Sequence, residues 1–205
     1  MNELMSLVRF WVLLATTALL TGCMTKQSIV SSSNDFKPAS SQESQRPKYK
    51  IGVVMNRAMD TEVARSVAQK EGLTYDFEFK VGKDIQKTLP AYLNSFVDTD
   101  PIKSVGDGGA YDFVLDPKIT SSLFTYIGMS AAPRYELSIT LDVPVTKNGS
   151  IKERVLVRKD SRVEISAFEN RDEERTETMR KRYEEQIVEI YRELEVLLIG
   201  IFKPR

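Results

Sequence analysis

Residues 135–143, YELSITLDV, and residues 151–165, IKERVLVRKDSRVEI, decide the fold of this chain. Apolar and polar residues alternate along most of both segments, as expected for strands with one face in the core and one in solvent. Asn148-Gly149 stands between them and favours a type I′ turn, because both residues tolerate a positive φ. The pattern predicts an antiparallel hairpin. Pro144 lacks a backbone donor and indicates a sheet edge near the end of the first strand.

A long C-terminal helix is predicted after the hairpin, from about residue 167 to residue 201, with Ser166 and Glu169 as a capping box. Between residues 196 and 202 apolar side chains occupy most of the circumference, so we expect both sides of these turns to be covered. Apolar residues recur at steps of three and four along the helix and predict a buried stripe, which consists of Met179, Tyr183, Ile187, Ile190, Tyr191, Leu194, Leu197, Leu198 and Ile201.

Five more elements are predicted before the hairpin: strands at residues 49–55, 74–81 and 111–126, and helices at residues 60–68 and 83–97. Pro90 lies inside the second helix and predicts a kink or a restart, since proline costs about 3 kcal/mol in a regular helix interior. Residues 98–110 contain Pro101 and several glycines and are predicted to be a loop.

The elements follow one another in the order β-α-β-α-β-β-β-α. This order predicts an α+β domain over residues 49–205. We expect a mostly antiparallel sheet of about five strands with helices packed on one face, one of them the long C-terminal helix.

The N-terminus has the layout of a secretory signal over residues 1–22. Arg9 supplies a positive charge, residues 10–20 form an apolar core, and residues 20–23, LTGC, contain the only cysteine of the chain. The apolar run is shorter than the roughly 20 residues that a membrane-spanning helix needs. The stretch from residue 23 to residue 48 is rich in Ser, Asn, Gln and Pro and lacks apolar periodicity, which predicts a flexible tether.

The four residues Leu20, Thr21, Gly22 and Cys23 resemble the bacterial lipobox, which is an aliphatic residue, a small residue, Gly or Ala, and Cys. The resemblance implies cleavage before Cys23 and attachment of acyl chains, palmitate among them, to this cysteine. Two such chains already suffice for stable membrane attachment. In many Gram-negative lipoproteins an aspartate after the cysteine signals retention at the inner membrane. Met24 follows Cys23 here, so the resemblance favours the outer membrane, with the domain facing the periplasm.

The composition argues against several classes of function. Lys+Arg and Asp+Glu both number 29, so the neutral chain has no long-range field to attract nucleic acid. The chain contains no histidine, which removes the commonest general base and the commonest metal ligand. Its single cysteine is assigned to acylation, which leaves no thiol for a disulfide or a metal site. We therefore expect no cofactor, no metal ion and no enzymatic activity.

Two sets of residues remain as candidate sites. Asp112 and Asp116 are an even number of residues apart on one predicted strand, so they could share a face and act as paired carboxylates. A solvated strand face explains this pair equally well. Tyr126, Ile127 and Met129 belong to an apolar loop that would be a surface for a partner or a lipid if exposed, and part of the core if folded back.

The charged segment at residues 171–182 has a similar ambiguity. It contains acids and bases at helical spacing, including the pair Glu177 and Lys181. A solvated helix face accounts for it, and docking to a charged partner is the other interpretation.

The lipobox, the tether and the order of elements are also similar to those of small periplasm-facing lipoproteins. Among these are the lipopolysaccharide-assembly lipoprotein and outer-membrane lipoproteins of the YajG type. The resemblance spans residues 49–202 and carries over no binding residues. It implies a non-enzymatic accessory or scaffold lipoprotein with a protein partner in the cell envelope. The alternatives are a lipid- or glycan-binding module with its ligand between sheet and helices, and an enzyme that uses Asp112 or Asp116.

Overall fold

The computed structural model describes residues 24–29, 49–55, 57–70, 73–127, 134–164 and 172–202 of the 205-residue chain. Within these ranges the backbone forms two sheets, two α-helices and two short 3₁₀ helices at Arg57–Thr61 and Val105–Ala110. The α-helices are α1 (Val81–Leu93) and α2 (Asp172–Phe202). The strands are β1 (Met24–Ile29), β2 (Lys50–Val54), β3 (Ala64–Lys70), β4 (Leu73–Phe79), β5 (Asp98–Ile102), β6 (Phe113–Leu115), β7 (Lys118–Ile127), β8 (Arg134–Lys147) and β9 (Ser150–Glu164).

The larger sheet has six strands and is mixed. Strands β5 and β6 pair with β2 in parallel, whereas β8 pairs antiparallel with β6, β7 and β9. The α+β class is therefore confirmed, but the expectation of a mostly antiparallel sheet of about five strands is wrong. Strand β5 explains part of the difference, because it lies within the segment predicted as a loop. It is the outer strand of the sheet, where the missing donor of Pro101 is tolerated.

The predicted hairpin is confirmed as β8 and β9. Asn148 and Gly149 connect the two strands with positive φ angles of 53° and 75°. The edge position inferred from Pro144 is wrong, because β8 pairs with β9 on one edge and with β7 and then β6 on the other. The carbonyl of Pro144 accepts a hydrogen bond from the backbone N–H of Asp116 at 3.2 Å. The nitrogen of Pro144, which carries no hydrogen, is on the same side of β8 as this carbonyl. It faces the break between β6 and β7, where strand pairing requires no donor.

The smaller sheet has the order β1-β4-β3. Strand β4 confirms the prediction for this segment, but the helix predicted at residues 60–68 is wrong. A 3₁₀ helix ends at Thr61, and β3 then pairs antiparallel with β4, with Ala64 opposite Phe79. The apolar spacing of residues 63–68 fits a helix, but pairing with a neighbouring strand overrides such local preferences.

The segment expected to be a flexible tether begins with a strand. Strand β1 starts at Met24 and runs parallel to β4, with Met24 opposite Thr74 and Ile29 opposite Phe79. The first six residues after Cys23 are thus part of a sheet. The expectation of a tether over the remaining residues, 30–48, lies outside the described residues.

Helix α1 runs through Pro90 without the expected restart and ends at Leu93. Pro90 lies in the last turn, and its carbonyl accepts the backbone N–H of Asn94 at 2.9 Å. A proline in the last turn of a helix removes one hydrogen bond, and only a few helical residues follow whose direction a kink could change.

Helix α2 supplies one wall of the core. Most of the predicted stripe is buried, and the exceptions are Leu197, which is 40% exposed, and Ile201, which is half-buried. The stripe shares one cluster with inward-facing residues of the hairpin, including Ile139, Leu141 and Val157. The side-chain nitrogen of buried Gln186 donates to the carbonyls of two strand residues, which fixes α2 on β8 and β9: Leu137 at 2.9 Å and Lys159 at 2.8 Å. The predicted cap at Ser166 and Glu169 lies outside the described residues.

Candidate functional site

The predicted anchor lies directly before the first described strand. The residues of the lipobox, Leu20, Thr21, Gly22 and Cys23, all lie outside the described residues. Met24 follows Cys23 in the sequence and is the first residue of β1. An acyl group on Cys23 would therefore be joined to the three-stranded sheet without an intervening linker.

The contacts of β4 place its C-terminal end against the first half of α2. Phe79 packs there on Tyr183, with ring centroids 4.8 Å apart. Two residues earlier, Phe77 packs on Tyr135 at the start of β8, with centroids 5.5 Å apart. Met24 pairs with the other end of β4, where it is opposite Thr74.

A surface cleft of about 760 Å³ opens where α2 ends. We call it the distal cleft. Its lining comes from four separate segments: Tyr49 before β2, Phe113 in β6, the β8–β9 hairpin and the last turns of α2. The ring of Phe113 packs on Tyr49 with centroids 5.3 Å apart and on Phe202 with centroids 4.9 Å apart. These three aromatic side chains form an apolar floor.

Two lysines from the hairpin stand over this floor. The ammonium groups of Lys147 and Lys152 lie 5.2 Å and 5.4 Å from the centroid of the Phe113 ring, within cation–π range. A β-bulge positions Lys152: Val145 is opposite Glu153 and the next residue, Thr146, is opposite Ile151, so Lys152 has no partner in the ladder. Among the described residues neither lysine forms an ion pair, although Glu153 also lines the cleft.

Within the described residues, the last turns of α2 are covered on one side only, in contrast to the expectation that both sides are covered. Leu194 and Leu198 are buried, whereas Val196 is 71% exposed and faces the distal cleft together with Leu197. Gly200 lies on the same open side, and a Cβ atom added there would meet no atom within 4 Å. The open side of α2 is therefore apolar and exposed, with free space beside Gly200.

On its other side, α2 is held to α1 by three polar contacts at helical spacing. The Tyr183 hydroxyl donates to the buried carboxylate of Asp84 at 2.9 Å. The hydroxyls of Tyr191 and Thr88 lie 2.7 Å apart, and Thr88 donates to a backbone carbonyl, so Tyr191 is the donor between them. The third contact joins Tyr92 to Glu195 at 2.6 Å. The paired numbers rise together, so the two helices run in the same direction.

Burial sets the titration of these phenols. It raises the pKa of Tyr183 and of Tyr191 well above the usual value for tyrosine, and the charge of Asp84 adds to this shift. The pKa of Tyr92 is raised by burial and by its hydrogen bond to Glu195. All three phenols therefore stay protonated near neutral pH and act as donors that fix the helix pair. This arrangement holds structure and activates no nucleophile.

The outer face of β8 and β9 carries a row of ion pairs. Arg154 donates through Nε to the buried carboxylate of Asp142 at 2.8 Å, and Arg162 pairs with Glu136 at 2.7 Å. The third arginine of the row, Arg158, pairs with Asp160 at 3.3 Å. Each arginine of this row already has a carboxylate partner, so the face carries little free charge for a ligand.

The structure separates the two predicted carboxylates. Asp112 accepts a hydrogen bond from the backbone N–H of Lys50 at 2.8 Å, which ties β6 to the start of β2. Asp116 forms an ion pair with Lys118 at 2.7 Å. Each serves its own local contact. No group of three or more acidic, histidine or cysteine side chains that could hold a metal ion occurs in the described part of the chain.

The predicted partner surface is described only in part. Tyr126 and Ile127 belong to the end of β7, and their side chains lie outside the described residues, as does Met129. In the charged segment of α2, Arg180 pairs with Glu177 and with Glu184, which accounts for three charges within the helix itself. None of the described helices is long and apolar enough to cross a membrane.

The distal cleft was not predicted from the sequence. Its residues are scattered between Tyr49 and Phe202, and no local motif connects them. One signal was available. Two lysines flank the Asn-Gly turn, and the apolar tail of α2 has more apolar residues than one stripe can bury.

No protein-family model matches the sequence, and no curated protein matches it. Among solved structures, the chain is similar to protein XCC0632 from Xanthomonas campestris, of family DUF330, with 10% identity and a TM-score of 0.52. The alignment covers 83% of this chain and 91% of that one, and at this identity it concerns the fold alone. A neuraminyllactose-binding hemagglutinin homolog from Helicobacter pylori aligns over 81% of this chain and 93% of its own, with 12% identity. Its TM-score of 0.45 is too low to establish a shared fold.

Proposed function

We propose that this protein is a lipid-anchored, non-enzymatic lipoprotein of the bacterial outer membrane that presents a rigid periplasmic domain to a protein partner of the cell envelope. The observation that carries the proposal is the LTGC motif with its cysteine directly before strand β1. A lipid anchor at this position would hold the sheet itself at the membrane surface. An accessory protein needs this combination of attachment and rigidity.

The interior of the domain supports a scaffold role. Aromatic and aliphatic side chains fill the space between α2 and the hairpin, and polar contacts fasten α2 to α1. The same side chains lie in the space that the alternative, a lipid or glycan held between sheet and helices, would need. We include in the proposal that both helices lie on one face of the six-stranded sheet. The opposite face, with its arginine pairs, would then remain accessible to a partner.

The anchor is tested by the mass of the mature N-terminus. We expect the polypeptide to start at Cys23 and to carry three acyl chains, and the protein to fractionate with membranes. Cys23→Ser should lose the acyl mass and shift the protein to the soluble fraction. Thr21→Ser keeps a small residue in the motif and is the matched control, which should be processed normally. An unmodified cysteine in the wild-type protein, or cleavage at another bond, would refute the anchor.

The membrane is tested separately. An aspartate after the cysteine is the feature that the lipobox resemblance associates with retention at the inner membrane. Met24→Asp should therefore move the protein from the outer-membrane to the inner-membrane fraction of a sucrose gradient. If the wild-type protein already sediments with the inner membrane, the outer-membrane assignment is wrong even though the anchor stands.

A further inference from the structure

We propose that the distal cleft binds a single-chain amphiphile with an anionic head group, such as a long-chain carboxylate. The inference does not depend on the lipid anchor and stands whether or not that anchor is confirmed. It rests on the apolar side chains of α2 in the lining, on two lysines that form no ion pair with any described residue, and on a glycine with open space beside it.

The lining of the cleft suits a hydrocarbon chain. Val196 and Leu197 of α2 lie exposed beside the aromatic floor formed by Tyr49, Phe113 and Phe202. The volume of about 760 Å³ falls within the range of small-ligand sites, and the cleft combines these apolar side chains with the charged side chains of Lys147, Lys152 and Glu153. An alkyl chain laid along this open side of α2 would remove apolar surface from water, which favours binding.

The charge at the cleft selects the head group. Lys147 and Lys152 stand over Phe113, and within the described residues neither forms an ion pair. By contrast, Arg154, Arg158 and Arg162 of β9 each have a carboxylate partner. Lys152 is the extra residue of the β-bulge, so it has no partner in the strand pairing. With Glu153 also in the lining, the two ammonium groups leave a net positive charge in the cleft, which complements a ligand whose single negative charge ends an alkyl chain.

Gly200 gives the cleft its depth. A glycine inside a helix is less favourable than alanine, and no neighbouring atom requires one here, because an added Cβ would contact nothing within 4 Å. The space that a side chain at this position would occupy belongs to the cleft. A larger residue at position 200 should therefore fill the site without disturbing the core.

Calorimetric titration with dodecanoate below its micellar concentration tests the proposal. The protein is the chain from residue 23 onward with Cys23→Ser, which contains every described helix and strand. We expect saturable binding of one dodecanoate per chain. Binding of dodecyltrimethylammonium, which has the same chain length and the opposite charge, should be at least about tenfold weaker. Equal affinity for the two amphiphiles, or uptake of many molecules without saturation, would overturn the proposal.

Variants assign the binding to the cleft. Lys147→Gln with Lys152→Gln should weaken dodecanoate binding about tenfold. Gly200→Met should abolish it while the melting temperature stays the same or rises, since methionine favours the helix over glycine. Lys181→Gln is the control, because Lys181 is exposed on the same helix about 24 Å away from Leu197 along its axis. Unchanged binding in Gly200→Met, or equal weakening in Lys181→Gln, would show that dodecanoate binds elsewhere and the assignment fails.

Discussion

The two sides of the last turns of α2 have similar sequences and different surroundings. One side, which we call the sealed side, is buried in the core and consists of Leu194, Leu198 and Phe202. The other, the open side, is exposed at the distal cleft and includes Val196 and Leu197. Apolar character alone therefore does not say which side of a helix is covered. Whether a side is buried depends on which other elements pack against it. Among the described residues, α1 and the sheet pack against the sealed side only.

The largest expected effect comes from cutting a side chain on the sealed side. Leu198→Ala should lower the free energy of unfolding by about 3 kcal/mol, because it leaves a cavity in a packed core. Val196→Ala on the open side should change it by no more than about 0.5 kcal/mol. Urea unfolding followed by circular dichroism measures both. Equal losses in the two variants would mean that the open side is covered in solution.

The sealed side should also be sensitive to alkaline pH. Burial raises the folded-state pKa of Tyr183 and Tyr191, so the stability they contribute is complete below the unfolded pKa near 10 and is lost as the pH rises above it. At pH 10.5 the loss should be about 1 kcal/mol for each phenol relative to pH 8. The urea midpoint should fall accordingly. Tyrosinate absorbance provides the control, since these phenols should ionise only on unfolding.

Removal of a single polar contact should have a smaller effect. Tyr183→Phe deletes the hydroxyl that donates to buried Asp84, and we expect a loss of about 1.5 kcal/mol at pH 7. Arg162→Gln breaks an exposed ion pair with Glu136 and should cost less than about 1 kcal/mol. If Arg162→Gln loses more stability than Tyr183→Phe, the hydrogen bond of Tyr183 contributes little, and apolar packing alone stabilises the sealed side.

A substitution in the last turn of α2 should have an effect of the opposite sign. Gly200→Ala on the open side should raise the free energy of unfolding by up to about 1 kcal/mol, because alanine is favoured over glycine in a helix and the added methyl group meets no atom. A thermal melt compares the variant with the wild type. A loss of stability would show that position 200 is more crowded than the structure indicates.

The sequence predicts correctly those elements whose local pattern of apolar, polar and turn residues is sufficient to determine their structure. The hairpin has alternation and an Asn-Gly turn, and the stripe of α2 extends over many turns, so both were predicted close to their observed positions. Strand β3 was missed because the spacing of Val63, Ala64, Val67 and Ala68 fits a helix. Its strand conformation comes from pairing with β4, which no local pattern shows.

Strand β5 and the distal cleft illustrate the same limit. Pro101 argues against a strand unless its edge position is known, and that position is a property of the whole sheet. The cleft needs Tyr49, Phe113, Lys152 and Val196 together, and these residues meet only after folding. The lysines could be located from the sequence, but it could not show that they form no ion pair with the other described residues.

The strand that begins at Met24 has a consequence for the height of the molecule above a bilayer. If acyl chains hold Cys23 in the membrane, the rigid part of the protein starts at the lipid surface. The 31 residues of α2 span about 46 Å, so a partner that binds the distal cleft would have to meet the protein within roughly that distance of the bilayer.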